Sequence, residues 1–285
     1  NKRLASLEMA LKVIMIERFY IPDGQSGQIH YAVAGRGPTI LCLHQTPRSW
    51  DEFREVMEYL QDDFQIIAMD LPGMGASSAP LKTASIETYA RAAIDLIKSV
   101  VSGALIVCGH HTGGAVAHEC AARAPELFDG LILSSTPWVD AAEREARRSK
   151  TPIDTISRTR QGDHLLDLWQ QRSDYYPAGP EFLDRFLADA LAATSPTEGH
   201  LAVGRYEMEA STPQIKCPVL IVEHSLDPFA SKHTGRLQNA FPEASVSRIP
   251  EGRVPLEATA RQFADLVRTW AHKQFQTLTK PEGVS

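Results

Sequence analysis

The chain has 285 residues, of which 43% are apolar and 22% are charged. These fractions are typical of globular proteins and exclude a disordered, collagen-like or coiled-coil chain. The formal charge of -6 is not accompanied by a basic run, so the electrostatic footprint of a nucleic-acid-binding protein is missing. Composition therefore indicates a globular enzyme or small-molecule-binding protein, with one large domain or two small ones.

The start of the sequence predicts neither a membrane span nor a signal peptide. Its longest apolar stretch runs from Val13 to Ile16, far short of the roughly 18 residues that a membrane helix needs. The four cysteines form no C-x-x-C pair, so they predict no zinc site and no redox motif. These cysteines are Cys42, Cys108, Cys120 and Cys217. We therefore expect a cytoplasmic protein that binds no metal, no cofactor, no nucleic acid and no membrane.

Eight short apolar runs predict a mostly parallel sheet, because they alternate with helical patterns as in βα units. The third and fifth runs contain continuous apolar stretches, as strands covered on both faces do. The first two alternate in polarity and are bounded by Gly and Pro, so they predict an antiparallel hairpin at one edge. The predicted strands are Glu17–Ile21, Ile29–Ala34, Thr39–His44, Phe64–Asp70, Ala104–Gly109, Gly130–Ser135, Val219–Glu223 and Ser245–Ile249.

Helical patterns fill the gaps between these strands. The core helices are predicted at Ser49–Leu60, Ser85–Val100, Thr112–Ala124 and Pro255–His272. Strand alternation stops after the sixth strand, where only helical patterns occur, at Ala141–Lys150, Asp163–Asp174 and Pro180–Ala193. An insertion at this place predicts a helical lid over the carboxyl edge of the sheet, where open α/β sheets bind ligands. The expected organisation is a core of residues 17–136 and 217–275, a lid of residues 137–216, and terminal extensions at 1–16 and 276–285.

The most informative motif is Gly109-His110-His111-Thr112-Gly113, which lies between a predicted strand and a predicted helix. The pattern G-x-nucleophile-x-G is that of a nucleophile elbow. Its glycines let strand and helix approach closely while the central residue is held on a sharp turn. His111 occupies the central position, where Ser, Asp or Cys is expected.

Two further loops follow predicted strands. The loop His44-Gln45-Thr46-Pro47 can present backbone N–H groups to a developing oxyanion. The alternative for this loop is an ordinary turn with a structural His44. The loop from Asp70 to Gly75 has glycines that permit an unusual backbone path, and it predicts a tight connection without direct chemistry.

In this order, the motifs resemble the α/β-hydrolase fold family over most of residues 17–275 outside the lid. Three more segments complete the resemblance, namely Ser134–Pro137, Pro218–Phe229 and Ile249–Glu257. The match is closest to the lidded small-molecule branch, which includes C–C hydrolases, epoxide hydrolases, haloalkane dehalogenases, esterases and cofactor-free oxygenases. The resemblance implies an eight-stranded α/β-hydrolase fold, a small-molecule substrate and a catalytic acid at Asp227.

Three positions depart from the family's pattern. Gln45 replaces a loop glycine, His111 replaces the nucleophile, and Arg253 stands where the catalytic His is expected. Only the acid, Asp227, matches, so the ordinary triad mechanism lacks both its nucleophile and its base.

The remaining residues predict a His111–Asp227 dyad. The carboxylate would hold one ring nitrogen and leave the other as a general base. Backbone N–H groups of Thr112 and of Gln45 or Thr46 would form the oxyanion hole.

Arg253 is the third predicted catalytic residue, and it has two interpretations. Its guanidinium either anchors an anionic group of the substrate or neutralises Asp227. Candidate substrate-binding residues are His44, His110, Trp138, Trp169, Tyr175 and Tyr176. The lid offers His164, His200 and Tyr206 as further pocket candidates.

Three functions are compatible with these residues. The first is a hydrolase without a Ser-His-Asp triad that acts on a small hydrophobic or aromatic molecule. The second is a lyase, decarboxylase, cyclase or cofactor-free oxygenase on the same scaffold. The third is a non-catalytic binding protein. A titratable His at the strained apex of the elbow favours an enzyme, and a monomer or a homodimer is expected.

Overall fold

The computed structural model describes residues 15–23, 27–80, 83–148, 153–176 and 179–279. One sheet of eight strands lies at its centre, in the order β1-β2-β4-β3-β5-β6-β7-β8. The β1–β2 and β2–β4 pairs are antiparallel, and the remaining pairs are parallel. The predicted sheet, with its antiparallel hairpin at one edge, is confirmed. The strands are β1 Glu17–Asp23, β2 Gly27–Ala34, β3 Thr39–Leu43, β4 Gln65–Met69, β5 Leu105–His110, β6 Gly130–Ser134, β7 Val219–His224 and β8 Ser245–Ile249.

Helices cover both faces of this sheet, which is why β3, β5 and β6 are buried along their whole length. Helices α2, Ile86–Val100, and α3, Thr112–Arg123, pack on one face. Helices α1, Arg54–Leu60, and α10, Ala260–Thr279, pack on the other. The α2 helix begins with a capping box, in which the Ser85 side chain accepts the N–H of Thr88.

The segment between β6 and β7 is helical. It contains α4 Ala141–Arg148, α5 Asp163–Ser173, α6 Pro180–Ala192, α7 Glu198–Arg205 and α8 Met208–Ser211, and α9 Thr234–Ala240 follows β7. Helices α5 and α6 share a small apolar cluster that is separate from the two large clusters on the sheet. The patterns in the sequence predicted α4, α5 and α6 but missed α7 and α8. The end of the predicted α4, at residues 149 and 150, lies outside the described residues.

Helix α10 is longer than its sequence pattern predicted. It continues past His272 to Thr279, so it takes in the first part of the expected terminal extension. Phe275 explains the difference, because its buried ring lies 5.8 Å from the ring of Phe64 and extends the apolar contact by another turn. Residues 1–14 and 280–285 of the expected extensions lie outside the described residues. No helix in the described ranges has both the length and the apolar character needed to cross a bilayer.

The connection after β4 is structural, as the sequence predicted. Asp70 organises it, because its Oδ2 accepts the N–H of Ala76 at 2.8 Å and its Oδ1 accepts the N–H of Trp50 at 2.6 Å. A Cβ at Gly75 would overlap the Asp70 carboxylate, so only glycine allows the loop to close on it.

Candidate active site

The turn between β5 and α3 places His111 at a strained apex. Its φ of 48° lies in the left-handed region, which non-glycine residues seldom adopt. The glycines around it bring strand and helix together, since a Cβ at Gly109 would overlap the backbone of Gly113, and a Cβ at Gly113 would overlap the carbonyl of Leu43. The N–H of His111 donates to the carbonyl of Ser134 at 3.0 Å. Surrounding packing therefore holds the elbow in the geometry that its sequence predicted.

Asp227 lies beside this apex. Its Oδ2 is 2.7 Å from Nε2 of His111, and its side chain is completely buried. The two atoms meet as a close charge contact without the alignment of a linear hydrogen bond. The other carboxylate oxygen accepts the N–H groups of Phe229 at 2.9 Å and Ala230 at 3.2 Å. The loop after β7 thus fixes the carboxylate, and the structure brings together the two residues of the predicted dyad.

The charges of the dyad stabilise each other. Burial lowers the pKa of His111, but the Asp227 carboxylate outweighs it, so the pKa of His111 is raised above its usual value near 6.5. Burial likewise opposes the charge on Asp227, yet the His111 ring and the Phe229 N–H hold the pKa of Asp227 well below its usual range. The proton of a neutral imidazole therefore stays on Nε2, facing Asp227. Nδ1 is left for a molecule in the cavity that His111 lines.

Backbone N–H groups beside the apex come from two elements. Thr112 is the first residue of α3, so its N–H has no acceptor within the helix. Gln45 is not available as the second donor, because its N–H donates to Oε2 of Glu52 at 2.8 Å and its side-chain amide also donates to Glu52. Of the two alternatives that the sequence left open, Thr46 remains. Glu52 is fully buried, and burial raises its pKa to about 7.

A cavity of about 630 Å³ lies between the elbow and the inserted helices, a size suited to a small organic molecule. The elbow and the loop after β3 line its floor with Gln45, Thr46, His111 and Thr112. Apolar side chains contribute another part of the wall, through Pro137, Ile153, Leu201, Val203, Phe229 and Val254. The inserted helices also bring polar side chains, including Arg144, Arg147, Arg172 and His200.

Arg253 does not join the dyad. No ion pair among the described residues links it to Asp227, whose carboxylate faces His111 instead, and Arg253 is not part of the cavity wall. Its neighbour Gly252 packs directly against the ring of His224, which directs this loop along the core. The structure therefore supports neither interpretation of Arg253, and its prediction as a catalytic residue is corrected here.

His44 and His110 lie in the core and do not line the cavity. Nε2 of His44 accepts the N–H of Leu71 at 3.0 Å, so its Nδ1 carries the proton and donates to the Gln45 carbonyl at 2.7 Å. Nε2 of His110 donates to the Val254 carbonyl at 3.1 Å. Both imidazoles tie loops together, which corrects their prediction as substrate-binding residues.

The aromatic side chains of the insert pack on their neighbours rather than on the cavity. Trp138 is buried in the large cluster on the sheet, while Tyr176 and Trp169 belong to the small cluster of α5 and α6. Tyr175 reaches the cavity only indirectly, because its ring lies 5.0 Å from that of Phe229. The expected aromatic wall is therefore corrected to one in which guanidinium groups are prominent.

Among the further pocket candidates in the insert, the structure places one in the cavity wall. That residue is His200. Tyr206 is buried against His118, with its hydroxyl 2.8 Å from Nδ1 of that ring, and His164 lies near the surface beside Thr159.

The arginines of α4 were not predicted as pocket residues, although their spacing gave a signal. Arg144, Arg147 and Arg148 follow the i, i+3, i+4 spacing that places side chains on one helix face. All three line the cavity. This charged helix face therefore borders the cavity.

Comparisons with known proteins agree with this architecture. A family model described as "alpha/beta hydrolase fold" matches residues 38–253. A soluble epoxide hydrolase from Corynebacterium sp. (strain C12) is 34% identical over 106 residues, which are 37% of this chain and 37% of the relative. Epoxide hydrolase 3 from Xenopus tropicalis is 31% identical over 127 residues, which are 43% of this chain and 35% of the relative.

A solved structure extends the likeness over nearly the whole chain. It is a thermophilic esterase from Thermogutta terrifontis, with a TM-score of 0.72, 21% identity, and coverage of 90% of this chain and 99% of that one. At this identity the likeness shows the fold alone. The chain spans little more than a third of the length of the two curated relatives, with matches over 37% and 35% of them.

Proposed function

We propose that this chain, which belongs to the α/β-hydrolase fold family, is an enzyme that hydrolyses a small organic substrate, with the His111–Asp227 dyad as general base. One observation carries the proposal. An imidazole sits on the strained apex, 2.7 Å from a buried carboxylate, and lines a cavity large enough for such a substrate. Strain of this kind persists where surrounding packing imposes it, and it concentrates at functional sites.

The proposed reaction uses water as the nucleophile. Nδ1 of His111 takes a proton from water while the water oxygen bonds to the electrophilic carbon of the substrate. The imidazolium formed in this step is stabilised by Asp227, which keeps its own negative charge. The bond to the leaving group then breaks, the leaving group takes the proton from His111, and the products have gained one water molecule.

The oxyanion hole stabilises the negative charge that this attack creates on the substrate. The N–H groups of Thr112 and Thr46 are the proposed donors, and Thr112 adds the positive end of the α3 helix dipole. A single donor of this kind contributes roughly a hundredfold to a thousandfold in rate. Because both proposed donors are backbone N–H groups, replacing the side chain at the elbow apex does not remove them. The oxyanion hole can therefore act without a Ser nucleophile.

The relatives indicate which substrates to test first. Two of them are named epoxide hydrolases, so a panel of epoxides comes first, followed by small esters because the similar structure is an esterase. Each substrate is incubated with the wild-type protein in water enriched in oxygen-18. Incorporation of one labelled oxygen into the product supports hydrolysis.

The decisive variant is His111→Ala. We expect it to lose turnover by roughly a thousandfold or more, because the base is gone while the oxyanion hole remains. His272→Ala is the matched control, since His272 is 44% exposed and lies outside the cavity, and it keeps its rate. Circular dichroism and melting temperature establish that both variants fold. Full activity of a folded His111→Ala protein contradicts the proposal.

A second function is favoured by the absence of a Ser, Cys or Asp at the elbow apex. An imidazole base without a side-chain nucleophile can also remove a proton from carbon, as a lyase, decarboxylase, cyclase or cofactor-free oxygenase requires. The oxygen-18 experiment separates the two functions. If the product contains no oxygen from the labelled water, the reaction is not hydrolysis and the second function is supported.

A further inference from the structure

The part of the cavity wall formed by the inserted helices and the loop after β7 is cationic. Six basic side chains line it, whereas Glu143 is the acidic side chain found there within the described residues. The whole chain, by contrast, carries a formal charge of -6. The basic residues are Arg144, Arg147, Arg148, Arg172, Arg205 and Lys232. Clefts lined by one sign of charge concentrate field and attract ligands of the opposite sign.

The carboxylates that pair with these arginines stand mostly outside the wall. Arg144 contacts Glu209 at 2.7 Å, and Arg148 contacts Glu145 at 2.8 Å. Neither of these carboxylates lines the cavity. Each of these two pairs thus presents its cationic member to the cavity. Arg147 instead pairs at 3.0 Å with Glu143, which also lines the cavity, and the wall still holds more basic than acidic side chains.

Two members of this wall are held with particular precision by one buried carboxylate. Asp154 is 1% exposed and accepts bonds from Nε and Nη2 of Arg172. Its Oδ2 also lies 2.7 Å from Nε2 of His200. The Arg172 guanidinium is further fixed 5.0 Å above the ring of Phe186. These contacts leave Nη1 of Arg172 available to donate to a ligand. Because Nε2 of His200 faces Asp154 and burial lowers the pKa of this ring, Nδ1 of His200 is an acceptor.

Both groups are close to the dyad. Arg172, His200 and His111 line the same cavity. Burial is the largest effect on the pKa of both His111 and His200, and it lowers each. The charge of Arg172 also acts to lower the pKa of His111, and the charge of His111 acts to lower the pKa of His200. A small molecule can therefore contact the Arg172–His200 pair and the dyad at the same time.

We infer that the substrate is a small organic carboxylate, whose carboxylate binds Arg172 in the cationic wall while its apolar part packs on the side of Leu201 and Phe229. Nη1 of Arg172, positioned by Asp154, donates to one carboxylate oxygen, and the other basic side chains of the wall attract the negative charge of the ligand. This inference deepens the proposed function and rests on it for the identity of the base at His111. It replaces Arg253, the anchor considered from the sequence, by residues of the insert.

Calorimetric titration of the full chain tests the inference with three probes. Phenylacetate carries both the carboxylate and an apolar ring, phenylacetamide is its neutral counterpart, and inorganic phosphate is an anion without an apolar part. We expect phenylacetate to bind about tenfold or more tightly than either of the others, and its affinity to fall as salt is raised. Equal binding of phenylacetamide, or stronger binding of phosphate, overturns the inference.

Arg172→Gln locates the site. It is expected to weaken phenylacetate binding about tenfold, because a charged hydrogen bond to the ligand is lost. Arg147→Gln is the second variant, since this side chain is 30% exposed and its removal leaves the Asp154 contacts intact. Its loss is expected to weaken binding about threefold through the field of the wall alone. If Arg172→Gln does not fold, the Arg147→Gln result decides, and unchanged binding there overturns the inference.

Two controls remove charge elsewhere. Lys98→Gln lies on the exposed side of α2 and leaves phenylacetate binding unchanged. Arg253→Gln tests the anchor suggested by the sequence, and a larger loss there than in Arg172→Gln overturns the inference.

Titration of His111→Ala separates this inference from the proposed function. If this variant binds phenylacetate but the wild-type protein turns over no substrate, the anion site is supported and the proposed base is not. If turnover depends on His111 but phenylacetate does not bind, the proposed base is supported and the anion site is overturned.

Discussion

The sheet core and the inserted helices differ in how they hold their functional groups. In the core, β3, β5 and β6 are buried throughout, and the elbow glycines leave no room for a Cβ. In the insert, α4 has no buried residue and α5 has two, one of which is Arg172. The core places His111 by close packing, whereas the insert places its guanidinium groups by ion pairs. The difference suggests that the core supplies chemistry and the insert supplies recognition.

The largest expected effect on stability comes from a Gly→Ala substitution in the core, compared with a Gly→Ala substitution in the insert. Gly113→Ala forces a Cβ onto the Leu43 carbonyl and is expected to lower the free energy of unfolding by roughly 3 kcal/mol or more, or to prevent folding. Gly204→Ala in α7 adds a Cβ whose nearest neighbour is the Arg147 side chain at 3.8 Å. It is expected to raise stability by up to about 1 kcal/mol through helix propensity. Urea unfolding measures both, and equal effects would break the contrast between the regions.

Asp227→Asn and Asp154→Asn test the division of labour. We expect Asp227→Asn to lower kcat about a hundredfold, because the ring loses the charge that holds its tautomer and stabilises the imidazolium. Activity requires a neutral His111, so it rises with pH through the pKa of that ring. This pKa is raised in the wild type, and removal of the carboxylate shifts the rising limb to lower pH.

Asp154→Asn is the matched change in the insert. It is expected to raise KM about tenfold and to change kcat far less, because it loosens Arg172 and His200 without touching the base. Kinetics of the two variants on the substrate found in the screen measure this split. A pH limb that moves in Asp154→Asn but not in Asp227→Asn would assign the base to the insert.

Acid is expected to unfold the protein through buried histidines of the core. Burial lowers the pKa of His118 to about 3, that of His224 to about 4, and that of His110 well below its usual value near 6.5. Below pH 6.5 the unfolded chain binds protons that the folded core excludes, so stability falls by about 1.4 kcal/mol per pH unit for each histidine. Glu52 acts in the opposite direction, because its pKa is raised to about 7 in the folded protein. Between about pH 4.5 and pH 7 the folded state binds a proton on Glu52 that the unfolded state does not, which offsets the loss of stability from one histidine.

Melting temperatures between pH 7 and pH 4 measure this loss. His118→Gln removes one of the titrating rings and flattens the curve. A wild-type melting temperature that does not fall towards pH 4 would contradict the assignment of neutral core histidines.

The smallest effect is expected at the surface of the insert. Arg148 and Glu145 form an ion pair whose side chains are 77% and 69% exposed. Solvent screens such a pair, so Arg148→Ala is expected to change the free energy of unfolding by less than about 0.5 kcal/mol. Urea unfolding at low salt gives the most favourable condition for detecting it. A loss several times larger would show that ion pairs hold the insert more firmly than its exposure indicates.

Prediction from the sequence succeeded where local pattern and buried structure coincide. The apolar runs of β3 and β5 indicated central strands because only strands covered on both faces are apolar throughout. Gly109 and Gly113 indicated the elbow because no other residue allows that approach. Helix α7 was missed because it contains Gly199 and Gly204 and therefore has little helical pattern.

The sequence by itself determined the sheet and the elbow, since both depend on local patterns of apolar residues and glycines. Asp227 was suggested by the resemblance to the family, and the fold places it 2.7 Å from His111. Only the tertiary structure decided that the Gln45 N–H donates to Glu52 and that Arg253 forms no ion pair with Asp227. It also decided that the arginines of the insert line the cavity. These facts depend on contacts between segments far apart in the chain. A side chain's type limits what it can bind, but the packing of the whole molecule decides what lies within its reach.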